Sequence, residues 1–314
     1  MKKIIAIILV SMLMLTLVVA CGNGNADDET QFRVAISLPP ANNAWQAKLL
    51  EHIMEEIENY PEVDWTVVNA VDDNDQLNQL NLFHNDDFDL IMILPGNGTL
   101  LTPISEEIYD SGTMTVILDR PIDSDRFTAL VAGDNRECGV NAANFIAEQL
   151  GGQGYIAYLR SYVGIPIDML RYEGFMDTIA AFPGIEIIVE ADGQFNREAG
   201  LEAMTNILPG HPHIDAVVAH DDEAALGALV AIENANRTDI RYVTGMGGTL
   251  GAYERLQAND PVFVASMSYF PRQAIDGIRV VMQILRGEDF QRTTIIPSII
   301  VTSENVDQFM DYAY

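Results

Sequence analysis

Along the chain, short runs of apolar and β-branched residues alternate with longer stretches in which apolar positions recur every three or four residues. In the first half the runs are FRVAISL (32–38), DWTVVNAV (64–71), DLIMILP (89–95), TVILD (115–119) and TALVAG (128–133). Between the first two, Trp45, Leu49, Ile53 and Ile57 recur every four residues and predict a helix with one buried stripe. After the break at Gly151-Gly152-Gln153-Gly154 the pattern repeats, with GYIAYLR (154–160), IEIIVEA (185–191), IDAVVAH (214–220), IRYVTGM (240–246) and VFVASMS (262–268) separated by helical stretches such as RYEGFMDTIAAF. Strands apolar on both faces, alternating with helices, predict parallel sheets covered on both sides. The chain therefore reads as α/β, built from two doubly wound parallel-sheet halves.

The first residues depart from this pattern. Lys2 and Lys3 precede an uncharged apolar run from Ile4 to Val19, and Val18-Val19-Ala20-Cys21 matches a bacterial lipobox. The run falls slightly short of the roughly 20 residues needed to span a bilayer. Residues 1–20 are thus expected to be a lipoprotein signal peptide, Cys21 the lipidated first residue of the mature chain, and 21–31 a flexible tether. The expected product is a soluble protein held outside the cytoplasmic membrane by lipid alone.

The 314 residues carry 17 basic and 46 acidic side chains, a net charge of −29. Loss of Lys2 and Lys3 makes it −31 and leaves Lys48 as the only lysine. Such a chain repels nucleic acid phosphates and stays soluble. Cys138 is the only other cysteine, so the mature chain can form no intrachain disulfide, and its helical context, NRECGVNAANFIA, makes it a small core residue. Enzyme signatures are missing: there is no P-loop, H-E-x-x-H or G-x-S-x-G pattern, and GMGG at 245–248 lacks dinucleotide-binding spacing. His211 and His213 flank Pro212 in a turn, and neither a metal site nor a cofactor is expected.

Polar residues gather where strands end. Asn42, Asn43 and Trp45 follow the first strand, Asp119 and Arg120 close the fourth, and His220, Asp221 and Asp222 follow IDAVVA. Ligands of open parallel sheets sit outside those carboxyl ends. Alone, Asp119–Arg120 would read as an ion pair closing a turn.

It does not stand alone. NNAW (42–45), VILDR (116–120), AGDN (132–135), RYEGF (171–175), GQFNR (193–197) and HDDEAALGAL (220–229) occur in one order across residues 32–302. On these motifs the chain resembles a type I periplasmic binding protein of the ribose-binding group. The resemblance implies a first lobe of residues 32–133 plus 267–297 and a second of 134–266 plus 298–314, with crossovers near Asp134, Ser266 to Tyr269, and Pro297. It implies aromatic plates at Trp45 and Phe195, a polar neighbour at Asn43, hydroxyl-binding charges at Asp119, Arg120 and Arg171, and Asp221 where the group usually has Asn. Aromatic plates suit the C–H face of a sugar and charged forks its hydroxyls.

Four departures bear on the ligand. Gly247 stands in place of an acceptor Asp, Tyr269 in place of a polar amide, and Gln46 in place of a second plate, while Asp168 lies one turn before Arg171 as a substitute acceptor. The implied ligand is a carbohydrate or polyol other than ribose, such as a hexose or a cyclic polyol. The implied protein is a monomeric, non-enzymatic solute receptor delivering to an ABC permease. The alternative is a sensor for a transmembrane histidine kinase or chemoreceptor. A repressor effector domain of the lactose-repressor type would need a helix-turn-helix where residues 1–31 show an export signal.

Overall fold

A computed structural model describes residues 31–41 and 43–314. The expected signal peptide, the lipidated Cys21, residues 21–30 of the tether and Asn42 lie outside the described residues.

Two six-stranded sheets form. The first holds β1 (Phe32–Leu38), β2 (Val63–Asn69), β3 (Leu90–Ile93), β4 (Met114–Leu118), β5 (Ala129–Gly133) and β11 (Thr293–Ile296), in the order β11-β5-β4-β3-β1-β2. The second holds β6 (Gln153–Arg160), β7 (Gly184–Asp192), β8 (Ala216–Ala219), β9 (Tyr242–Gly247), β10 (Phe263–Ser268) and β12 (Ile300–Val301), in the order β12-β10-β9-β8-β6-β7. All pairings are parallel except β10 with β12. Strand β12 is too short for periodicity to reveal.

The helices are α1 (Ala44–Ile57), α2 (Asp73–His84), α3 (Gly98–Asp110), α4 (Asn135–Gln149), α5 (Pro166–Ile179), α6 (Arg197–Ile207), α7 (Asp222–Asn234), α8 (Leu250–Gln257) and α9 (Gln273–Leu285). Each of Asn43, Asp72, Asn97, Asp134, Asn196, Asp221 and Thr249 caps a helix by accepting a backbone N–H from its first turn. These caps sit in strand-to-helix turns, so the physics that starts each helix also lines the sheet edge with oxygen acceptors.

Burial alternates along the strands. Val34, Ile36 and Leu38 face a core with Leu49 and Ile53 of α1 and Ile278 and Val281 of α9, whereas Ala35, Ile91 and Ile117 pack on Leu80, Leu101 and Ile108. The second sheet is covered likewise, with Leu159, Val217 and Leu229 on one side and Tyr158, Val218, Ile146 and Phe175 on the other. Helix α9 thus belongs to the first sheet although it follows β10 of the second. The chain changes sheet between Gly133 and α4, between Ser268 and α9, and between Ile296 and Ile300.

Two helix pairs in the second lobe touch backbone to backbone. A Cβ on Gly139 of α4 would lie 2.0 Å from the carbonyl oxygen of Arg171, and one on Gly174 of α5 would lie 2.1 Å from that of Arg136. Gly200 and Gly227 do the same for α6 and α7, at 2.2 Å from Ala224 O and 2.1 Å from Arg197 O. Only glycine allows this approach.

Candidate functional site

Asp119 does not continue β4. It turns off the strand end at φ +65°, a left-handed conformation that Asp tolerates better than most side chains. Its side chain is buried, 1 % exposed. Oδ1 accepts from the Tyr269 hydroxyl at 2.5 Å and from Gln273 Nε2 at 2.9 Å, and Oδ2 lies 3.6 Å from Arg120 Nε. Arg120 Nη1 donates to the Gly96 carbonyl at 3.4 Å, and that loop is fixed in turn by Gln76, whose Oε1 accepts from Gly96 N at 2.8 Å. Arg120 Nε has no hydrogen-bond partner among the described residues, and a quarter of the side chain, 26 %, stays exposed.

Trp45, in the first turn of α1, packs against the cores of both lobes. Its indole N–H donates to the Tyr269 carbonyl at 2.9 Å, and the two rings lie 5.9 Å apart at 32°. Asn43 is exposed and uses Oδ1 to cap α1 through Gln46 N at 2.9 Å. Gln46 itself is buried.

The second lobe contributes Arg171, buried on α5 beside α4. Its Nε donates to Asn135 Oδ1 at 2.9 Å and its Nη1 to the His220 carbonyl. The guanidinium lies 5.0 Å from the centre of the Tyr269 ring and 6.0 Å from that of Phe195. Phe195 is half-buried at φ +53° in the turn after β7 and meets the Tyr162 ring edge-on at 5.7 Å. Asp221 caps α7, with Oδ1 accepting from Glu223 N at 2.8 Å and Ala224 N at 3.3 Å. Burial, reinforced by Asp222, pushes the Asp221 carboxyl up to about 7 against the pull of Arg171.

Two expected site residues turn out to have other partners. Tyr269 does not stand in the cleft as a bulky phenol. It lies beneath, 6 % exposed, donating to Asp119 and accepting from Asn135 Nδ2 at 3.0 Å. Its ring fits because residue 133 is glycine: a Cβ there would lie 2.4 Å from Tyr269 Cε2. Asp168 is fully buried, with Oδ1 taken by Arg160 Nε at 3.1 Å and Oδ2 by Arg160 Nη2 at 2.5 Å and Gly164 N at 3.0 Å. It also faces His220 Nδ1 at 3.1 Å. With its acceptors saturated, Asp168 holds Arg160 and His220 and reaches the site only through the His220 carbonyl. Burial, with Arg171 and Arg160 adding to it, holds the His220 imidazole down at about 4, so it is neutral. The tautomer with Nδ1–H toward Asp168 and Nε2 accepting from Tyr158 at 2.8 Å satisfies both nitrogens; the 3.4 Å approach of Ser161 N to Nδ1 belongs to the other tautomer and is longer.

One line of hydrogen bonds therefore runs from Arg171 through Asn135 and Tyr269 to Asp119, crossing from lobe to lobe. Asn135 and Gln273 belong to it, and sequence reasoning gave neither a role. Asn135 lay within the AGDN motif, but its partner is 134 positions away. Tyr314 is a third residue missed: its hydroxyl lies 2.6 Å from where a Cβ on Gly247 would stand. Among the described residues no group of three or more His, Cys, Asp or Glu side chains is placed to hold a metal. A groove of about 580 Å³ on the outer face of the second lobe, lined by Asp192, Glu198, Glu202 and His211, shares none of these groups.

Two wound α/β lobes, crossed three times by the chain and presenting acidic, cationic and aromatic side chains at facing strand ends, define the class of two-lobed solute-binding proteins. The comparisons agree. Residues 34–289 match the periplasmic binding protein domain, and the chain belongs to that family. The ribose import binding protein of Bacillus subtilis (strain 168) is 29 % identical over 97 % of this chain and all of its own length. A solute binding protein of an ABC transporter from Bacillus halodurans C-125, solved with bound myo-inositol, superposes with a TM-score of 0.83 at 27 % identity, covering 91 % of this chain and 99 % of that one. The fructose-binding periplasmic domain of a hybrid two-component system is 30 % identical, with a TM-score of 0.79 and coverage of 89 % and 93 %.

Proposed function

We propose that this chain captures a sugar or polyol between its lobes and delivers it to an ABC permease. The observation that carries this reading is the convergence of Asp119, Arg120 and Arg171 on one hydrogen-bonded frame, with Asp221 in electrostatic reach of Arg171. Among the described residues, Arg120 Nε and the Asp221 Oδ2 edge are left without hydrogen bonds, as groups reserved for a ligand would be. Trp45 and Phe195 supply the apolar plates, and Asn43 spends its Oδ1 on the α1 cap, its amide N–H groups making no hydrogen bond among the described residues. The lobes follow the expected division except that β10 keeps Met267 and Ser268 in the second, which gives 32–133 plus 269–297 and 134–268 plus 298–314, hinged at the three crossovers.

The ligand is a carbohydrate or polyol other than ribose. Gly247 supports this, and so does Asp221, whose ionised carboxylate offers no N–H where an Asn would; Tyr269 and Asp168, engaged elsewhere, no longer contribute. In the cell the protein sits outside the cytoplasmic membrane, anchored through Cys21, and works as a monomer. A thermal-shift screen of residues 22–314 against monosaccharides and polyols tests the reading, because a ligand at one hundred times its Kd stabilises by about 2.7 kcal/mol. If no sugar or polyol shifts the transition, the reading fails.

A second reading, a sensor feeding a signalling protein, is favoured by the likeness to the fructose-binding domain of a two-component system. Deleting the gene separates the two. Transport predicts lost uptake of the labelled ligand, and sensing predicts intact uptake with lost induction.

A further inference from the structure

Strand β9 ends in Gly247, at φ +138°, on the sheet edge between Asp221 after β8 and the crossover after β10. A side chain there would stand beside Asp222 at this strand end, yet its space is taken. An ideal Cβ on Gly247 would stand 2.6 Å from Tyr314 Oη and 3.4 Å from Asp222 Oδ2. We propose that Tyr314 is a ligand-specificity residue of the solute site: its phenol takes the position that Gly247 leaves open and presents a hydroxyl to the bound polyol.

The placement of Tyr314 is built rather than incidental. Its carbonyl accepts from Leu250 N at 2.8 Å at the start of α8, and its N–H donates to the Gly248 carbonyl at 3.4 Å. The preceding segment is pinned by an aromatic cluster in which Phe270 lies 6.3 Å from Phe309 and 5.4 Å from Tyr312, with the Arg272 guanidinium 4.4 Å from the centre of Tyr312. Gly248 makes room for that cluster, since a Cβ there would lie 2.8 Å from the Phe270 ring.

The chemistry around the phenol explains why a neutral donor is placed there. Asp222 is already spent: Oδ2 accepts from Gly248 N at 2.7 Å and Thr249 N at 2.9 Å, and Oδ1 from Ser266 Oγ at 2.7 Å. Asp221 stands beside it. A carboxylate at position 247 would be a third negative charge in this group, whereas a phenol adds none. Burial, then Asp221 and Asp222, push the Tyr314 hydroxyl well above its ordinary range, against the opposing pull of Arg171, so it keeps its proton. The hydroxyl has no hydrogen-bond partner among the described residues and is not sealed from solvent. It can donate to one ligand oxygen while Asp221 accepts from the neighbouring hydroxyl. The substrate class selected is a ring or chain with vicinal hydroxyls, one accepting and one donating.

This proposal rests on the solute-receptor reading, and calorimetry separates the two. The mature protein, Tyr314→Phe and Tyr314→Ala are titrated with D-ribose, D-allose, D-fructose, xylitol and myo-inositol. Tyr314→Phe removes only the hydroxyl and should weaken the tightest wild-type ligand about tenfold, or ~1.4 kcal/mol, while the weaker ligands change less than threefold, so that the preference narrows. Its melting temperature should match wild type. Tyr314→Ala should narrow the preference further. Unchanged affinities in Tyr314→Phe, or an equal loss for every ligand together with a lowered melting temperature, overturn the proposal and leave the receptor reading in place. If wild type binds none of the five, the receptor reading and this proposal fall together.

Discussion

Asp119 holds Tyr269 and Gln273 inside the protein while its other oxygen faces Arg120. Its removal therefore has two costs. Asp119→Ala leaves two buried donors without an acceptor, at about 1–3 kcal/mol of stability for each unsatisfied group, and it also puts Ala at φ +65°. The role the resemblance implies for this pair, binding ligand hydroxyls, does not take those bonds into account. Asp119→Asn keeps an acceptor oxygen and suits the left-handed backbone, so it should stay within ~1 kcal/mol of wild-type stability and still lose roughly 2–5 kcal/mol of ligand binding. Urea melts and calorimetry on both variants check this, and an Asp119→Asn protein that binds at full strength would refute a ligand role. Asp221 gives a pH test. With its carboxyl held up at about 7, it is protonated below that pH in the free protein, and a ligand hydroxyl donating to it binds the ionised carboxylate more strongly. Affinity should therefore fall as pH drops from 8 to 5.5, by up to about tenfold per unit below the pKa. Asp221→Asn should flatten that profile. A pH-independent wild type would remove Asp221 from the ligand contacts.

Much of the element scale was legible in the sequence. Both runs of apolar strands and the stripe through Leu49 and Ile53 follow from burial on alternating or four-residue periods, and they fall where the elements lie, whereas the break at 151–154 lies inside the second lobe, since α4 already packs there and β6 begins at Gln153. The site was legible as far as its residues are tied to strand ends: the cap chemistry that starts α1 and α7 also places Asn43 and Asp221. What sequence could not give is contact at long range. Tyr269 meets Gly133 and Asn135, and Arg160 saturates Asp168, only once the sheets are stacked. The glycine contacts between α4 and α5 belong to the same category, and they fix where Arg171 stands. Gly139→Ala should force those helices apart, costing ~1–3 kcal/mol and carrying Arg171 away from Asn135. Denaturant melts should show the destabilisation, and calorimetry a weaker ligand affinity, whereas Ala at exposed Gly210, where a Cβ would meet only the Ile207 carbonyl oxygen at 3.8 Å, serves as a control for mutation alone.

For the whole molecule, the three crossovers between the lobes are the arrangement that closure about a common seam would use. Small-angle scattering should record a smaller radius of gyration when a saturating sugar or polyol is added, and an unchanged radius would count against closure. The charge of −29 adds mutual repulsion between the lobes, which salt screens. The scattering contrast between free and bound forms is therefore expected to be largest at low ionic strength.

The Tyr269 hydroxyl ties Asp119 to Asn135 across the seam, so the two walls are moored to each other before any ligand arrives. A mooring of this kind narrows the range of relative orientations the free protein samples. Closure then surrenders less freedom, and more of the contact energy appears as affinity. Tyr269→Phe cuts the mooring while keeping the ring against Gly133. Calorimetry on that variant should show weaker binding, with the loss carried by a more unfavourable entropy and the enthalpy nearly unchanged; a loss confined to enthalpy would mean that the phenol serves the ligand rather than the seam.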